Sequence, residues 1–330
     1  NQYGAGLRKL ITSSFATEGV IEMHNANAFD DDVDAYPAIT IIRRQKQEAT
    51  TVASVGSEVQ SIHSSKLASI LSGVNQIQST PLPEGLRAAR VDRWFSGSDP
   101  WPCTSPEQLA LLRRLENDFL PLEANARVGI GVATGNDSVY ITKDTELVEP
   151  TRLLKLALAG DIREGAMSWS GHYLINPWND DGLVKLATYP RLTAYFEKHG
   201  AALRSRHTAA KNEVGWYKTI DRVIHELTLK PKLYIADIKE RLNPVLDSGQ
   251  TYPHHNLYFI ESKKWNLEAL GGLLISAIGQ FFIESYGVRM RGGYFRFQAQ
   301  YLRRICVPDP NDIPEVDIHT LIKAFRERNR

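Results

Sequence analysis

Hydrophobic positions in the first third of the chain alternate between helical and strand spacing. Apolar side chains recur three and four positions apart from Gly6 to Phe15, which predicts a helix. Short apolar and β-branched runs then predict three strands and a short helix: strands at Val20–Met23, Ala38–Ile42 and Thr51–Val55, and a helix at Ser65–Leu71. Helix and strand in alternation indicate an α/β layer from which several members are missing.

A change of composition follows this layer. Five prolines and two tryptophans lie between Pro81 and Pro106, and such punctuation predicts a domain boundary. A helix through Leu109–Leu115 is predicted next, because Ser105 is a good N-cap and Pro106 suits the first turn.

From about Arg127 to the end, the pattern predicts a mixture of helices and strands. Strands are expected at Val139–Ile141, His172–Ile175, Leu233–Ile235 and Leu257–Ile260, and helices at Pro190–Arg204 and Leu267–Tyr286. The longest apolar run, Leu270–Ile283, is interrupted by Ser276 and Gln280 and is too short to cross a bilayer. It is therefore interpreted as part of a buried helix, and no membrane contact is expected.

Composition and charge narrow the class of protein. The chain of 330 residues is 42% hydrophobic and 23% charged, which is typical of a globular protein and not of a disordered one. With only two cysteines, Cys103 and Cys306, and no apolar leader segment, a reducing cytoplasm is the expected location. The net charge of +1 is unevenly distributed along the sequence. From Ala201 onward there are 20 Lys and Arg residues but only 14 Asp and Glu residues. This surplus predicts either a phosphate-facing surface or an ordinary solvated one.

The most informative stretch for chemistry runs from Ser285 to Pro308. It contains no acidic residue, four aromatic residues before Tyr301, and five arginines: Arg289, Arg291, Arg296, Arg303 and Arg304. Arginine binds phosphates and guanine, and interleaved aromatic rings stack on bases or wedge between them. We therefore predict that these arginines contact DNA. The alternative is a solvated arginine face over buried aromatic residues.

A second basic group precedes an aromatic pair, Trp216 and Tyr217. Lys211, Trp216 and Lys218 are further predicted DNA contacts, although Trp216 could equally anchor the core at the start of a helix.

Three further motifs resemble known ligand-binding or catalytic sites but are weaker evidence of function. The stretch Gly129–Gly135 resembles a phosphate-binding loop but lacks the Lys-Ser/Thr ending, so a tight turn is favoured. Asp247, Glu261 and Lys263 resemble the carboxylate and lysine set of a Mg²⁺-dependent nuclease, a pattern that is frequent by chance. His254 and His255 are expected to bind no metal, because adjacent side chains diverge and no carboxylate is suitably spaced.

Taken in order, four stretches resemble the C-terminal half of the gamma-class adenine-N6 DNA methyltransferases of restriction–modification systems. The stretches are Tyr3–Arg8 with Asp34–Arg43, Val128–Gly135 continuing to Tyr140, Lys230–Lys232 with Asp237 and Asn256–Ile260, and Gly292–Phe297 followed by Tyr301–Ile305. The resemblance implies an α/β fold in which an incomplete Rossmann-like methyltransferase tail is followed by an α+β target-recognition domain. It implies the last catalytic-domain strands at residues 1–80, a Pro-rich connector at 81–104 and the DNA target-recognition domain at 105–330.

The resemblance also implies what this chain does not contain. The glycine motif that binds the methyl donor and the Asn-Pro-Pro-Tyr loop that holds the target amine are both absent, and they are expected upstream of Asn1. S-adenosylmethionine is therefore expected as the cofactor of the intact enzyme and none for this chain alone, which is expected to be inactive without its N-terminal catalytic portion. Phe29 matches the family's aromatic residue that stacks on the flipped-out adenine, with a plain core aromatic as the alternative.

The expected function is thus double-stranded DNA recognition for a site-specific adenine methyltransferase. Two alternatives stay open at this point. The first is a Mg²⁺-dependent nuclease that uses Asp247, Glu261 and Lys263. The second is a separate, non-catalytic specificity subunit that works with a partner.

Overall fold

A computed structural model describes residues 4–23, 37–56, 85–163, 165–210, 214–290 and 293–328. The chain forms two compact units: Asn1–Phe119 with Phe281–Phe295, and Leu120–Gln280 with Arg296–Arg330. This division differs from the predicted one, because residues up to 119 and part of the late arginine-rich stretch belong to the first unit.

The helices and strands are numbered here in chain order over the described residues. The helices are α1 (Ala5–Ser14), α2 (Pro106–Asp118), α3 (Asp137–Tyr140), α4 (Pro190–Lys198), α5 (Gly200–Arg204), α6 (His207–Ala210), α7 (Glu226–Leu229), α8 (Leu267–Ile275), α9 (Ala277–Tyr286), α10 (Ala299–Leu302) and α11 (Glu315–Glu327). The strands are β1 (Ala16–Glu22), β2 (Ala38–Arg43), β3 (Thr50–Val55), β4 (Leu86–Val91), β5 (Leu120–Pro121), β6 (Arg127–Ile130), β7 (Ile141–Thr142), β8 (Leu153–Ala157), β9 (Tyr173–Ile175), β10 (Trp178–Asn179), β11 (Gly182–Leu183), β12 (Lys232–Ala236), β13 (Ile238–Lys239), β14 (Val245–Asp247), β15 (Tyr252–Pro253), β16 (Leu257–Glu261), β17 (Val288–Met290), β18 (Tyr294–Arg296) and β19 (Cys306–Val307).

The first unit contains a four-stranded sheet in the order β2-β1-β3-β4. The central strands β1 and β3 are parallel and mostly buried, as expected for β-branched runs covered on both faces. Strand β2 is antiparallel to β1 and largely exposed at the edge. The three strands predicted in this part of the chain are confirmed. The short helix predicted at 65–71 lies outside the described residues.

The segment predicted as a connector is ordered where it is described. Residues Leu86–Val91 form β4, which pairs antiparallel with β3, although Arg87, Arg90 and nearby prolines obscure this strand in the sequence. Trp94 is buried and donates through Nε1 to the carbonyl of Pro102 at 3.0 Å. Its ring lies 5.1 Å from that of Trp101. The composition change therefore marks a packed aromatic cluster within the first unit.

The predicted start of α2 is confirmed. The Ser105 side chain accepts from the Gln108 amide, the Gln108 side chain accepts from the Ser105 amide, and Pro106 stands in the first turn. Because these capping signals are local, they can be identified from sequence alone.

The second unit contains two four-stranded sheets. One is antiparallel in the order β14-β12-β16-β6, and the other has the order β15-β8-β9-β7 with β15 parallel to β8. Their buried residues form a continuous core with the helices, in which aromatic side chains are prominent: Tyr140, Phe196, Tyr217, Tyr234 and Phe259. The mixed α/β fold and the strands predicted near residues 172, 233 and 257 are confirmed.

Three local predictions are wrong. The strand predicted at Val139–Ile141 is mostly the short helix α3, because the amides of Val139 and Tyr140 both donate to the Asn136 carbonyl. The helix predicted at Pro190–Arg204 breaks at His199, whose amide is shared between the carbonyls of Tyr195 and Phe196.

The third wrong prediction is a continuous helix at Leu267–Tyr286. It is interrupted at Ser276, whose hydroxyl donates to the Leu273 carbonyl at 2.6 Å and accepts from the Ile278 amide. Serine competes with helical hydrogen bonding in this way. Among the described residues, no single helix is long and apolar enough to cross a membrane, although α8 and α9 together, with a bend between them, reach that length and composition. Most residues of α8 are buried in the protein.

Candidate nucleic-acid interface

The arginine-rich stretch does not form one continuous element. It contributes the end of α9, strands β17 and β18, helix α10 and strand β19. Four of its aromatic side chains are buried, namely Tyr286, Phe295, Phe297 and Tyr301, and Tyr294 is exposed. The buried rings are not available for stacking on bases, so this part of the stretch follows the alternative of buried aromatic residues.

Two of its arginines hold protein acceptors. Arg296 on β18 forms two hydrogen bonds to the Asp237 carboxylate, and this pairing raises the pKa of the guanidinium. Arg303, after α10, donates to the Val128 carbonyl through Nε and through a terminal nitrogen, at 3.3 and 2.7 Å. Each guanidinium has five N–H groups, so both keep donors for a further ligand. These two arginines hold β6 and the residue that follows β12, in addition to any contact with DNA.

The other predicted residues of this stretch differ in their surroundings. The Arg289 guanidinium lies 5.3 Å from the centre of the Phe295 ring, which is a cation–π distance. Arg304 is half-buried. Arg291 lies outside the described residues, as do Lys211 and Phe29.

The structure places Trp216 in the core. The side chain is 6% exposed, and the guanidinium of Arg204 covers its ring at 3.7 Å. Its predicted contact with DNA does not agree with this burial, since a base could reach this face of the ring only if Arg204 moved. Lys218 is half-buried, and its ammonium makes no ion pair with a described residue.

The glycine stretch from Gly129 to Gly135 is a packing loop. A Cβ on Gly131 would lie 2.2 Å from the backbone oxygen of His254, so only glycine allows this approach. Gly135 has a φ of +79°, which glycine adopts without strain. The loop amide of Ala133 donates to Asp221 at 2.8 Å. These contacts agree with the tight-turn interpretation favoured from the sequence.

Arg206 holds this loop against the segment that carries Trp216, and sequence reasoning did not single it out. Its guanidinium donates to the carbonyls of Thr134, Trp216 and Lys218 at 2.9–3.1 Å. It also lies 5.4 Å from the Tyr140 ring. At least one cation of the basic group at residues 204–218 therefore stabilises the fold by binding backbone carbonyls.

A cleft of about 720 Å³ in the second unit is lined by cations that are distant from one another in the sequence. It is lined by Arg127, Lys230, Lys263 and Arg303, together with the acidic Glu123 and Glu261. Glu261 accepts from Arg127 at 2.6 Å and lies 4.0 Å from the Lys230 ammonium. Lys263 is exposed and forms no ion pair with a described residue, so it is the cation most available to an anionic ligand.

The set considered for a nuclease is not brought together. Strands β14, with Asp247, and β16, with Glu261, lie on opposite sides of β12. Strand spacing then separates the two carboxylates by roughly 10 Å, too far for one metal ion. Asp247 is buried and accepts from Lys232 and Thr251, while Glu261 is paired with Arg127. The nuclease alternative is therefore not supported.

Comparison with known proteins gives a family match. Residues 157–307 match the family described as the TaqI-like C-terminal specificity domain. The type II methyltransferase M.PaeR7I of Pseudomonas aeruginosa is 43% identical over 333 residues, which cover 100% of this chain and 57% of that protein. M.XhoI of Xanthomonas vasicola is 41% identical and M.BstVI of Geobacillus stearothermophilus 40% identical, with coverage of 99% and 95% of this chain and 59% and 56% of those proteins.

Two solved structures align with this chain at low sequence identity. The type IIG restriction endonuclease BpuSI aligns with a TM-score of 0.43 and 14% identity, covering 99% of this chain and 40% of that one. The type IIL restriction-modification enzyme MmeI, solved in complex with DNA, aligns with a TM-score of 0.49 and 10% identity, covering 95% and 42%.

The chain spans a little over half the length of the curated relatives it matches. The chain is thus similar to the TaqI-like C-terminal specificity domain over residues 157–307, and to type II methyltransferases along nearly all of its own length.

Proposed function

We propose that this chain is the DNA target-recognition portion of a site-specific adenine-N6 DNA methyltransferase of a restriction–modification system. The observation that carries the proposal is the specificity-domain match at residues 157–307, inside a chain related to type II methyltransferases. The complete enzyme would bind S-adenosylmethionine and the target amine through motifs that this sequence lacks. The present chain would bind double-stranded DNA and hold the extruded adenine, with Phe29 as the stacking residue.

The first unit fits the end of a Rossmann-like methyltransferase domain. Its two central strands, β1 and β3, are parallel and buried, while β2 and β4 flank them in antiparallel orientation. A parallel pair needs a crossover connection and is typical of α/β domains. The unit would therefore complete a sheet whose other strands belong to the missing catalytic portion.

The DNA contacts proposed here come from two groups of cations. The first is the predicted set Arg289, Arg291, Arg296, Arg303 and Arg304, with Lys211 and Lys218. The second is the rim of the 720 Å³ cleft, where Arg127, Lys230 and Lys263 join Arg303. Arg303 belongs to both groups, and in the second unit it would connect the arginine-rich stretch to the cleft. Cations at these positions would bind phosphates and fix the register of the protein on the duplex.

The proposal is tested by binding of the chain to a fluorescent 30-base-pair duplex over a salt series. Wild-type affinity should fall steeply with salt, because each neutralised phosphate releases counterions. Arg291→Ala and Arg296→Ala should weaken binding at low salt and make the dependence of log Kd on log salt shallower by about 1 each. Since Arg296 also holds Asp237, Asp237→Asn is the matched variant that removes the pairing but keeps the arginine.

The two variants distinguish a direct contact of Arg296 with DNA from a structural role of its pairing with Asp237. Equal losses in Arg296→Ala and Asp237→Asn would mean that Arg296 acts by positioning β12 and not by touching DNA. Unchanged affinity in both arginine variants would exclude the stretch from the interface. S-adenosylmethionine binding measured in parallel should be absent, and tight cofactor binding without DNA affinity would contradict the proposed function.

The cleft rim gives an independent prediction. Lys263→Ala should reduce DNA affinity several-fold at low salt and lower the salt slope by about 1, because the ammonium of Lys263 is exposed at the cleft and forms no ion pair with a described residue. Lys323→Ala removes a similarly exposed charge from α11 and is the matched control. If both variants lose affinity equally, the effect is general electrostatics and the cleft is not a DNA contact.

A further inference from the structure

Three potential metal ligands meet in the second unit, where the sequence predicted no metal site. A ligand atom of each of Asp137, His254 and His255 lies within 4.8 Å of those of the other two. Nε2 of His254 is 3.1 Å from a carboxylate oxygen of Asp137, and the two imidazole rings have centroids 4.1 Å apart. The expectation that no carboxylate is suitably spaced does not hold, because the fold brings Asp137 from 117 positions away.

Backbone hydrogen bonds hold this cluster in place. The Val132 amide donates to the Pro253 carbonyl at 2.9 Å, and the His255 amide donates to the Val132 carbonyl at 3.0 Å. The His254 amide donates to the Ala157 carbonyl at 3.0 Å, which fixes it to the end of β8. Asp137 begins α3, where Thr134 donates to its carboxylate at 2.5 Å. The ligands are therefore preorganised on connected elements, as a metal site requires.

The surroundings of His254 point to a ligand. Its side chain is only 5% exposed, and its Nδ1 atom has no hydrogen-bond partner among the described residues. Buried polar atoms of native proteins nearly always have a partner, so an imidazole with one unsatisfied nitrogen requires an explanation. The Asp221 carboxylate, which accepts from Ala133 in the same loop, adds negative charge that favours a cation near His255.

We propose that Asp137, His254 and His255 bind a divalent transition-metal ion, with Zn²⁺ as the best match. Two imidazoles and one carboxylate suit Zn²⁺, Co²⁺ and Ni²⁺, whereas Mg²⁺ and Ca²⁺ select oxygen ligands. With three protein ligands, water would complete the coordination shell. The ion would cross-link the glycine loop and α3 to the turn between β15 and β16. It would thus act on the stability of the second unit, and the proposal does not depend on DNA recognition.

The test uses the untagged 330-residue chain after metal removal by a chelator. Co²⁺ titration should give visible d–d absorption that saturates at one equivalent, and Zn²⁺ should displace it. His255→Ala and Asp137→Asn should each lower Zn²⁺ affinity at least tenfold, since even the loss of a partner behind a ligand costs about 10- to 100-fold. His225→Ala removes an exposed histidine outside the cluster and should leave the affinity unchanged.

Thermal unfolding gives the second readout. Zn²⁺ at about a hundredfold excess over the wild-type Kd should raise the Tm of wild type and of His225→Ala by about 5 °C, and that of His255→Ala by about half as much or less. His255 is exposed, so its replacement does not disturb the core. Absence of stoichiometric binding in wild type, or equal Zn²⁺ affinity in wild type and His255→Ala, would overturn the assignment.

Discussion

Replacement of Lys232 by Met is expected to lower the free energy of unfolding of the second unit by about 3–5 kcal/mol. The Lys232 and Asp247 side chains are 0% and 2% exposed, and Nζ lies 2.8 Å from the carboxylate. The ammonium also donates to the carbonyl of Lys230 at 2.7 Å. Methionine fills a similar volume but leaves the Asp247 carboxylate buried without its cation. An uncompensated buried charge is strongly destabilising.

The remaining partners of Asp247 do not replace that cation. Its oxygens accept from the Gly249 and Gln250 amides at 3.2 Å and from Thr251 at 3.0 Å, which are neutral donors. Burial lowers the pKa of Lys232, and the hydrogen bond and charge of Asp247 act against this effect. The buried ammonium therefore depends on Asp247 for its charge partner.

Urea unfolding, with hydrogen exchange of the β12 amides as a local readout, measures the loss. Lys230→Met is the matched control, because Lys230 pairs with Glu226 at the surface and little change in unfolding is expected there. The double variant Lys232→Met with Asp247→Leu should recover much of the lost stability, since it removes both charges. A single Lys232→Met variant as stable as wild type would show that the pair is not buried in solution.

The elements that could be predicted from sequence are those with local causes. The start of α2 follows from Ser105, Pro106 and Gln108, which lie within four positions and cap the helix by themselves. The buried strands β1, β3, β12 and β16 follow from β-branched and aromatic runs. The breaks at His199 and Ser276 were missed because the apolar spacing continues across them, while a single side chain or a shared amide ends the helix.

The candidate site was harder to predict because its contacts are distant in the chain. The sequence shows that Arg296 and Arg303 are cations but not that their partners are Asp237 and Val128, which lie 59 and 175 positions away. Composition likewise cannot show that Arg204 covers Trp216. The family resemblance predicted a specificity domain, and residues 157–307 match one, but the role of each cation depends on tertiary neighbours.

Gly131→Ala is the second substitution with a large expected effect, a loss of about 3 kcal/mol in the free energy of unfolding of the second unit. The new Cβ would lie 2.2 Å from the His254 oxygen and 2.4 Å from the Pro253 oxygen, and both are backbone atoms that cannot rotate away. Relief of the clash would separate the glycine loop from the β15–β16 turn and break the hydrogen bonds between Val132 and residues 253 and 255.

Gly160→Ala is the matched control, because a Cβ there meets no atom within 4 Å. Its unfolding free energy should stay within a few tenths of a kcal/mol of wild type or rise slightly, since alanine restricts the unfolded chain. Equal unfolding free energies for the two variants would contradict the close packing of the loop.

The same clash displaces His254 and His255 from Asp137, so Gly131→Ala should also reduce Zn²⁺ affinity if the three residues bind metal, whereas Gly160→Ala should not. A Gly131→Ala protein that is destabilised yet binds Zn²⁺ as wild type does would separate the two roles and assign the glycine to packing alone.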